Sequence, residues 1–320
     1  MKRIFVRALF LIAFTVKSSI AISQEYPSRP ITILCWTEAG SAVDAYAREM
    51  ARLMARDLGQ NVIVENRPGA DGVVMINHML KAPADGYTIS SITMSLAMLV
   101  GQPGSQFKID ELQMLARTQI DAYGIIVPVA SPFRSIDDFV ANARKNPGKL
   151  NIGGPFDMGA HRVAWEVFAN ASKTKVAWIP YKGGAGVVKA VAGGHLDGGV
   201  TNPGNIKGLV SGGKLRVIGV SSEQRLPDFP DVPTFKERGW DVVRYQWRGM
   251  MAKAGSPKPV VDRLVKAIDN ARQTPEWTSY LARVMTFDGF QGPDAFRQQL
   301  LADVAEVEWT KKQLGIEKPQ

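Results

Sequence analysis

Two hydrophobic patterns alternate along most of the chain. Short apolar stretches rich in isoleucine and valine are followed by segments in which apolar residues recur every three or four positions, with glycine or proline between them. The first pattern indicates buried strands and the second amphipathic helices, and their alternation is typical of parallel βαβ units. Strands are predicted at residues 31–36, 61–65, 87–93, 125–128, 150–152, 176–179, 196–201 and 215–220. Helices are predicted at residues 41–58, 73–80, 160–171, 185–192, 203–210, 257–272, 275–284 and 293–314, with a further helix after position 135.

Capping signals mark two of the predicted helix starts. Ser41 with Asp44, and Ser135 with Asp138, have the serine-to-acid spacing of a capping box, in which the two side chains accept hydrogen bonds from backbone N–H groups of the first turn. Gly59 is predicted to end the first of these helices. The loop before Ser41 therefore lies between the first predicted strand and its helix.

The predicted elements group into two α/β units. Beyond Pro233 the pattern turns helical, and no strand run is long enough to complete a third sheet, so this segment must pack on a unit already built. We predict an α/β fold with two doubly wound domains, the first formed by residues 24–125 and 233–320 and the second by residues 126–232. Crossings near Ile125 and Pro233 would leave a cleft with two connecting segments, which is a hinge geometry.

The first residues have the organisation of a secretory signal peptide. Three basic residues precede an apolar run at residues 8–16, and small residues follow up to Ala21. That run of roughly 9 residues is too short for a membrane-spanning helix, which needs about 20. We expect a signal peptide at residues 1–21, cleavage after Ala21 or Ser23, and export to the periplasm of a Gram-negative cell.

Composition argues against several other classes of protein. Cys35 is the only cysteine, so no intramolecular disulfide can form, and its position is typical of a buried strand residue. The net charge of +9 falls to about +5 without the basic residues of the predicted signal peptide. Basic residues are scattered rather than clustered, which argues against nucleic-acid binding. A mature chain of about 300 residues is long enough for two domains that need no disulfide.

Loops that directly follow a predicted strand and precede a helix are the candidate ligand-binding segments. Such loops present backbone N–H groups and the positive ends of helices at the carboxyl edge of an α/β sheet. Four loops qualify, at residues 37–41, 153–160, 180–186 and 201–204. The first belongs to one predicted domain and the other three to the other, so a small anion could be bound from both sides of the cleft.

No residue pattern of an enzyme or a metal site stands out. Gly184 and Gly186 lack the third glycine and the later acid of a dinucleotide-binding loop, and Lys182 precedes these glycines rather than following them. None of the three histidines has a partner at metal-ligand spacing, and no G-x-S-x-G motif occurs. His161 is expected to be a hydrogen-bonding residue rather than a base. We predict a protein that is not an enzyme and has no cofactor or metal; an exported hydrolase or lyase is an alternative.

A series of motifs, all in the same order, resembles one known family. They include Y-P-S-R-P-I-T-I at residues 26–33, A-G-S-A-V-D-A-Y-A-R at 39–48, V-E-N-R-P-G-A at 64–70, A-P-A-D-G-Y-T at 82–88, P-Y-K-G-G-A at 180–185 and G-G-H-L-D at 193–197. The resemblance covers essentially the whole chain after the signal segment. On these motifs the sequence resembles the substrate-binding proteins of tripartite tricarboxylate transporters, also called Bug receptors.

The resemblance implies a periplasmic receptor with a type II-like Venus-flytrap fold that acts as a monomer. Such a receptor closes on a small organic acid or related carboxylate-bearing metabolite and delivers it to the subunits of a tripartite tricarboxylate-type membrane transporter. A ligand sensor that docks on a membrane signalling partner is the alternative. In this family the ligand carboxylate is typically held by backbone amides and ordered water rather than by arginine.

The strand-end loops and the resemblance together give one set of expected ligand-binding residues. For three of them a structural role stays open: Asp44 as the acid of a capping box, Tyr181 as a packing residue at the hinge, and Asp197 as an acceptor for loop amides. The full set is Trp36, Glu38, Ala39, Gly40, Ser41, Asp44, Gly154, Pro155, Phe156, Asp157, Gly159, His161, Tyr181, Lys182, Gly183, Asp197, Thr201 and Asn202.

Two loops depart from the pattern of the family. Ser41 follows Gly40 where the family usually has a pair of glycines, and Glu38 and Asp157 add acids to the first and second loops. Two acids close to a carboxylate site repel an anion by about 1 to 4 kcal/mol. We therefore hypothesise a ligand that is less anionic than a dicarboxylate, either zwitterionic or amide-bearing. The alternative is that both acids face solvent.

Overall fold

The computed structural model of the chain describes residues 26–100 and 105–315. The predicted signal peptide, at residues 1–21, lies outside the described residues. The first half of the described chain has the elements β1 (Ile31–Cys35), α1 (Ala42–Leu58), β2 (Val62–Asn66), α2 (Val73–Lys81), β3 (Thr88–Thr93), α3 (Met94–Val100), β4 (Leu112–Ala122), β5 (Gly124–Pro128), α4 (Ile136–Lys145) and β6 (Asn151–Pro155). The second half has α5 (Ala160–Ser172), β7 (Ala177–Tyr181), α6 (Gly184–Ala192), β8 (Gly198–Thr201), α7 (Lys207–Ser211), β9 (Leu215–Val220), β10 (Tyr245–Lys253), α8 (Lys258–Arg272), α9 (Pro275–Val284), β11 (Phe287–Gln291) and α10 (Pro293–Leu314).

The strands form two sheets, which confirms the predicted α/β fold with two domains. The first sheet has the order β11-β4-β10-β3-β1-β2, and the second has the order β7-β6-β8-β5-β9. Strands β2, β1 and β3 are parallel, as are β7, β6 and β8, because each pair is joined through a helix. The remaining neighbours are antiparallel, so both sheets are mixed.

The segment after Pro233 is not wholly helical, contrary to the expectation from its pattern. Tyr245–Lys253 forms β10, which inserts between β3 and β4 in the first sheet, and β11 adds an edge strand. Arg248 and Gly249 interrupt the apolar run of β10, and this interruption hides the strand from a periodicity argument. Strand β4 and helix α3 were likewise not predicted.

The chain passes between the two sheets at two points that lie side by side. Tyr123 joins β4 of the first sheet to β5 of the second, and the segment after β9 returns to β10. Ser221 links the two passages: its hydroxyl accepts from the Tyr123 N–H at 2.9 Å and donates to the Arg244 carbonyl. The backbone of Ser221 also bonds to Tyr123 and Arg244. This arrangement is the two-segment hinge that the sequence predicts.

Apolar packing covers both faces of the first sheet. Helices α1, α8 and α9 bury Tyr46, Met50, Leu264 and Trp277 against one face. On the other face, a larger cluster runs from α2, α3 and α10 through Tyr123 into α4 and α5 of the second domain. A third cluster lies between α6 and the second sheet. No helix in residues 26–100 and 105–315 is long and apolar enough to cross a membrane.

The tight packing around β10 gives a first test of the fold. A Cβ atom on Gly249 would lie 2.6 Å from the Ala116 carbonyl oxygen and 2.6 Å from the Phe296 ring, whereas one on Gly208 would meet nothing within 4 Å. We expect Gly249→Ala to lower the free energy of unfolding by about 1–3 kcal/mol through overpacking. Gly208→Ala should change it by less than about 0.5 kcal/mol. Equal thermal midpoints for the two variants would contradict this placement of β10.

Candidate functional site

A cavity of about 210 Å³ opens between the two sheets near the hinge. Its walls come from both domains, and nine of its sixteen lining residues have polar side chains. The lining residues are Trp36, Thr37, Val43, Thr93, Ser95, Pro155, Phe156, Ala160, His161, Gly183, Gly184, Thr201, Asn202, Asn205, Gln246 and Arg248. We call this space the polar cavity.

Three helices point their N-termini at the polar cavity. Val43 belongs to the first turn of α1, Ala160 begins α5, and Gly184 begins α6, and all three residues line the cavity. The first turn of a helix leaves N–H groups without intrahelical partners and carries a partial positive charge. Each N-terminus stabilises a nearby anion by about 0.3–1 kcal/mol. Their convergence makes this cavity suited to an anionic group.

Asn202 connects a buried histidine to the strand that enters the hinge. Its amide nitrogen donates to the Ala122 carbonyl at 3.0 Å, so its oxygen must accept from His161 Nε2, also at 3.0 Å. Tyr123 packs edge-on against the imidazole, with ring centroids 4.9 Å apart. Burial lowers the pKa of His161 to about 4, although the hydrogen bond that His161 donates to Asn202 opposes this fall. His161 is therefore neutral at pH 7, with its proton on Nε2.

Three lining residues, Trp36, Thr201 and Arg248, carry buried polar atoms that have no hydrogen-bond partner in the described part of the chain. Thr201 is fully buried and its hydroxyl is unpaired, and the indole N–H of Trp36 is also unpaired. A buried polar group without a partner costs about 1–3 kcal/mol. A ligand with acceptor atoms in the polar cavity would remove this cost.

Arg248 is a cavity residue that the sequence argument missed. Its side chain is 8% exposed, and its Nε atom has no partner. In the register of β10 and β4, Arg248 and Gln246 pair with Gln119 and Asp121, so the four side chains share one face. Burial raises the pKa of Asp121 to about 7, although the charge of Arg248 and the amide of Asn202 oppose the rise. A lone arginine inside an unpredicted strand gives no local sequence signal.

The first predicted loop is held by Asp44, which lies under it. Asp44 accepts from the Gly40 N–H at 2.9 Å, from Arg48 Nε at 3.0 Å and from Asn66 at 2.8 Å. Burial alone would raise the pKa of Asp44, but these hydrogen bonds outweigh it and lower the pKa. Ser41 caps α1 as predicted, accepting from the Asp44 N–H at 3.1 Å. The reciprocal bond goes to Gly40 rather than Ser41, so the predicted capping box is only half correct.

The acids of the first two loops do not reach the polar cavity. Glu38, with its neighbour Ala39, is exposed, and so is Asp157. Neither acid lines the cavity, and Gly40, Ser41 and Asp44 do not line it either. The repulsion argued from Glu38 and Asp157 therefore lacks the close approach that it requires.

The second loop supplies Pro155, Phe156 and His161 to the polar cavity, while Gly154 is buried under Trp178. Phe156 has a left-handed backbone with φ of 59°, and its side chain is 45% exposed. Its N–H donates to the Tyr181 carbonyl at 2.7 Å, and its carbonyl accepts from Trp178 at 3.2 Å. A large apolar residue held in a strained conformation at a cavity mouth is typical of a ligand contact.

The remaining predicted residues fall into two groups. Gly183, Thr201 and Asn202 line the polar cavity, whereas the Lys182 side chain is exposed. The Tyr181 ring packs beneath α6, where a Cβ atom on Gly186 would lie 3.0 Å from it. Asp197 accepts from the Asn151 N–H at 2.7 Å and precedes β8, so it lies at the opposite end of that strand from Thr201.

Residues 46–313 match the family described as the tripartite tricarboxylate transporter family receptor. The chain belongs to this receptor family. A Cupriavidus necator relative, the UPF0065 protein in the gbd 5' region, is 30% identical over 301 residues, which cover 94% of this chain and 92% of that protein.

Solved structures of solute-binding proteins have the same fold as this receptor. A TctC solute-binding protein from Polaromonas, without ligand, superposes with a TM-score of 0.78 at 26% identity, covering 90% of this chain and 99% of that one. An R. palustris protein with adipate superposes with a TM-score of 0.77 at 23% identity, covering 91% and 99%. The family is a receptor family and the Polaromonas neighbour is a solute-binding protein, so this chain is a solute-binding receptor rather than an enzyme.

A second cavity of the receptor, of about 300 Å³, adjoins the first. It lies between α3, α5 and α10, and we call it the apolar cavity. It is lined by Trp36, Ser95, Met98, Leu99, Phe156, Met158, Gly159, Val163, Val307 and Lys311. Lys311 at its edge forms an ion pair with Glu308 at 3.0 Å. The predicted residue Gly159 therefore faces this space rather than the polar cavity.

The raised pKa of Asp121 predicts a change in the pH dependence of stability. The carboxyl has a pKa of about 7 in the folded receptor and 3.8 without the fold, so the folded state binds the extra proton between those values. Stability therefore falls as the pH rises through this window. We expect Asp121→Asn to be more stable than the wild type by on the order of 2–4 kcal/mol above about pH 7, and by almost nothing near pH 4.

Urea denaturation across this pH range measures the effect, and the difference between variant and wild type cancels the titration of other groups. Asp241→Asn, on the exposed surface, is the matched control and should stay within about 0.5 kcal/mol of the wild type. A stability difference between Asp121→Asn and the wild type that does not vary with pH would refute the prediction.

Proposed function

We propose that this receptor is periplasmic and binds a small organic acid in the polar cavity. It then delivers the acid to a tripartite tricarboxylate-type membrane transporter. The observation that carries the proposal is the convergence of three helix N-termini on a cavity between the two domains. Backbone N–H groups at helix starts are a common binding site for carboxylates. The family assignment and the adipate in a protein of the same fold support a carboxylate ligand.

Hinge closure is the mechanism that fits this arrangement. The first domain contributes Trp36 and Arg248 to the polar cavity, and the second contributes His161 and Thr201. A ligand that contacts both sets binds the closed state better and shifts the population toward it. The predicted domain limits, residues 24–125 with 233–320 and residues 126–232, define the two bodies that we propose to move.

Within this proposal the predicted residues have different roles. Thr201, Asn202, His161 and the loop around Phe156 contact the ligand directly. Asp44 fixes the first loop through its hydrogen bonds to Gly40 and Asn66 rather than touching the ligand. Tyr181 and Asp197 support the second domain from outside the polar cavity.

The delivery step and the compartment require tests on cells. Periplasmic fractionation should recover the receptor without residues 1–21. Affinity capture with carboxylate present should retain subunits of a membrane transporter, whereas capture of a sensor kinase instead would contradict delivery.

Native mass spectrometry of receptor purified directly from cells should show a bound organic acid; a neutral or cationic ligand would overturn the assignment of a carboxylate ligand.

The unpaired hydroxyl of Thr201 provides a sharper test of the binding site. Thr201→Val keeps the shape of the side chain and removes the hydroxyl, so the unfolding free energy should rise by about 1 kcal/mol. The same change should weaken carboxylate binding by about tenfold or more, because a hydrogen bond to a charged group is lost. Isothermal titration and thermal unfolding measure the two effects.

Thr286 offers a matched control for this variant. It is also buried with an unpaired hydroxyl, but it does not line the polar cavity. Thr286→Val should stabilise the fold in the same way and leave the ligand affinity unchanged. Equal affinity losses in the two variants would place the ligand elsewhere.

A further inference from the structure

The polar and apolar cavities are adjacent and share part of their walls. Trp36, Ser95 and Phe156 line both of them. The polar cavity offers helix N-termini and hydrogen-bond donors, and the apolar cavity offers methionine, leucine and valine side chains. A ligand that spans both cavities must be polar at one end and apolar at the other.

The polar end contains one buried positive charge. Arg248 is the only ionised side chain among the residues that line the polar cavity, since His161 is neutral. Across residues 26–100 and 105–315, no ion pair or hydrogen bond to its guanidinium occurs. Its neighbour Asp121 shares the same face of the sheet, and burial keeps this carboxyl partly protonated near pH 7. A buried charge that lacks a partner is costly, and one ligand carboxylate would compensate it.

The apolar end is unsuited to a second negative charge. Met98 and Leu99 of α3, Val163 of α5 and Val307 of α10 face each other across it. Its one basic side chain, Lys311, is already paired with Glu308. A carboxylate placed among these side chains would lose its hydration without gaining a comparable partner.

We propose that the ligand is a monocarboxylate with an apolar tail, its carboxylate bound by Arg248 and its tail lying between Leu99, Val163 and Val307. This inference rests on the proposed function and names the chemical class of its ligand. Phe156 and Trp36 border the junction between the two cavities, so their rings contact the first carbons of the tail. The carboxylate also accepts from the Thr201 hydroxyl.

A series of straight-chain monocarboxylates, from propanoate upward, tests the apolar tail. Titrated into the mature receptor, they should bind about fourfold more tightly per added methylene until the apolar cavity is full. A dicarboxylate of the same length should bind at least tenfold more weakly, because its second charge enters the apolar cavity. Equal or tighter binding of the dicarboxylates, or an affinity that does not depend on length, overturns the inference.

Filling the apolar cavity tests the location of the tail. Leu99→Trp should abolish the gain in affinity that long acids have over propanoate. Leu301 is 46% exposed on α10, and Leu301→Trp is the matched control that should retain the full length dependence. If Leu99→Trp lowered the affinity for propanoate and for long acids by the same factor, this placement of the tail would be contradicted.

Replacing the arginine tests the location of the carboxylate. Arg248→Gln should lower the affinity for every acid by tenfold or more, because the charged contact is lost. The gain in affinity per methylene should stay the same. Should this variant not fold, Arg248→Lys keeps the charge, and its affinity should drop by a smaller, length-independent factor. Arg117→Lys, on the neighbouring strand β4 and outside both cavities, should bind as the wild type does. An unchanged affinity in the Arg248 variants would refute the proposal that Arg248 binds the ligand carboxylate.

The outcomes separate this inference from the proposed function. If dicarboxylates bind most tightly and the binding requires Thr201, the receptor function stands and the monocarboxylate class is wrong. If no carboxylate of either series binds, both proposals fail together.

Discussion

The binding site depends on the two hydrogen bonds of the Asn202 side chain. One fixes the carbonyl of Ala122, where the chain leaves the first sheet, and the other fixes His161 at the start of α5. Since the amide can satisfy both partners in only one orientation, the imidazole tautomer is set at the same time. Asn202 itself follows β8, so one side chain joins the first sheet, the second sheet and a helix start. The polar cavity is the space that these three segments enclose.

The chemistry of the cavity follows from the unpaired hydrogen-bond donors that line it. Three helix starts, the Thr201 hydroxyl, the Trp36 indole and the Arg248 guanidinium all offer hydrogens, while the one nearby carboxyl, Asp121, is partly protonated. The neutral state of His161 avoids adding a second buried charge that the fold would have to desolvate. An anionic group balances this set of donors, whereas a cation would not. The selectivity that we propose for this site therefore rests on the burial of its donors rather than on a cluster of basic residues.

Much of this could be predicted from the sequence, and the missing parts share a physical cause. Strands β1, β6 and β8 lie in local apolar runs that end next to helices, so the loops that supply Trp36, Phe156, Thr201 and Asn202 can be predicted. Strand β10 pairs with strands more than a hundred residues earlier, and Arg248 lies inside it, so no local pattern marks it. The acids Glu38 and Asp157 were correctly placed in the loops, but sequence gives no side-chain direction. Asp197 was misleading because it lies at the amino end of β8, whereas the polar cavity lies at the carboxyl end of that strand.

The hinge and the ligand site are close enough for binding to bias closure directly. Tyr123 packs on His161 and is bonded to Ser221, which also holds the returning segment at Arg244. Moving a two-state equilibrium from 1:99 to 99:1 requires about 5.5 kcal/mol of differential binding. A charged hydrogen bond from the first domain supplies about 1.5–3 kcal/mol, and each methylene buried by α3 and α10 supplies about 0.8 kcal/mol. On the proposed function, a carboxylate with a tail of a few carbons would supply enough differential binding to close the receptor, whereas a ligand bound by the second domain alone would not, however tightly it binds.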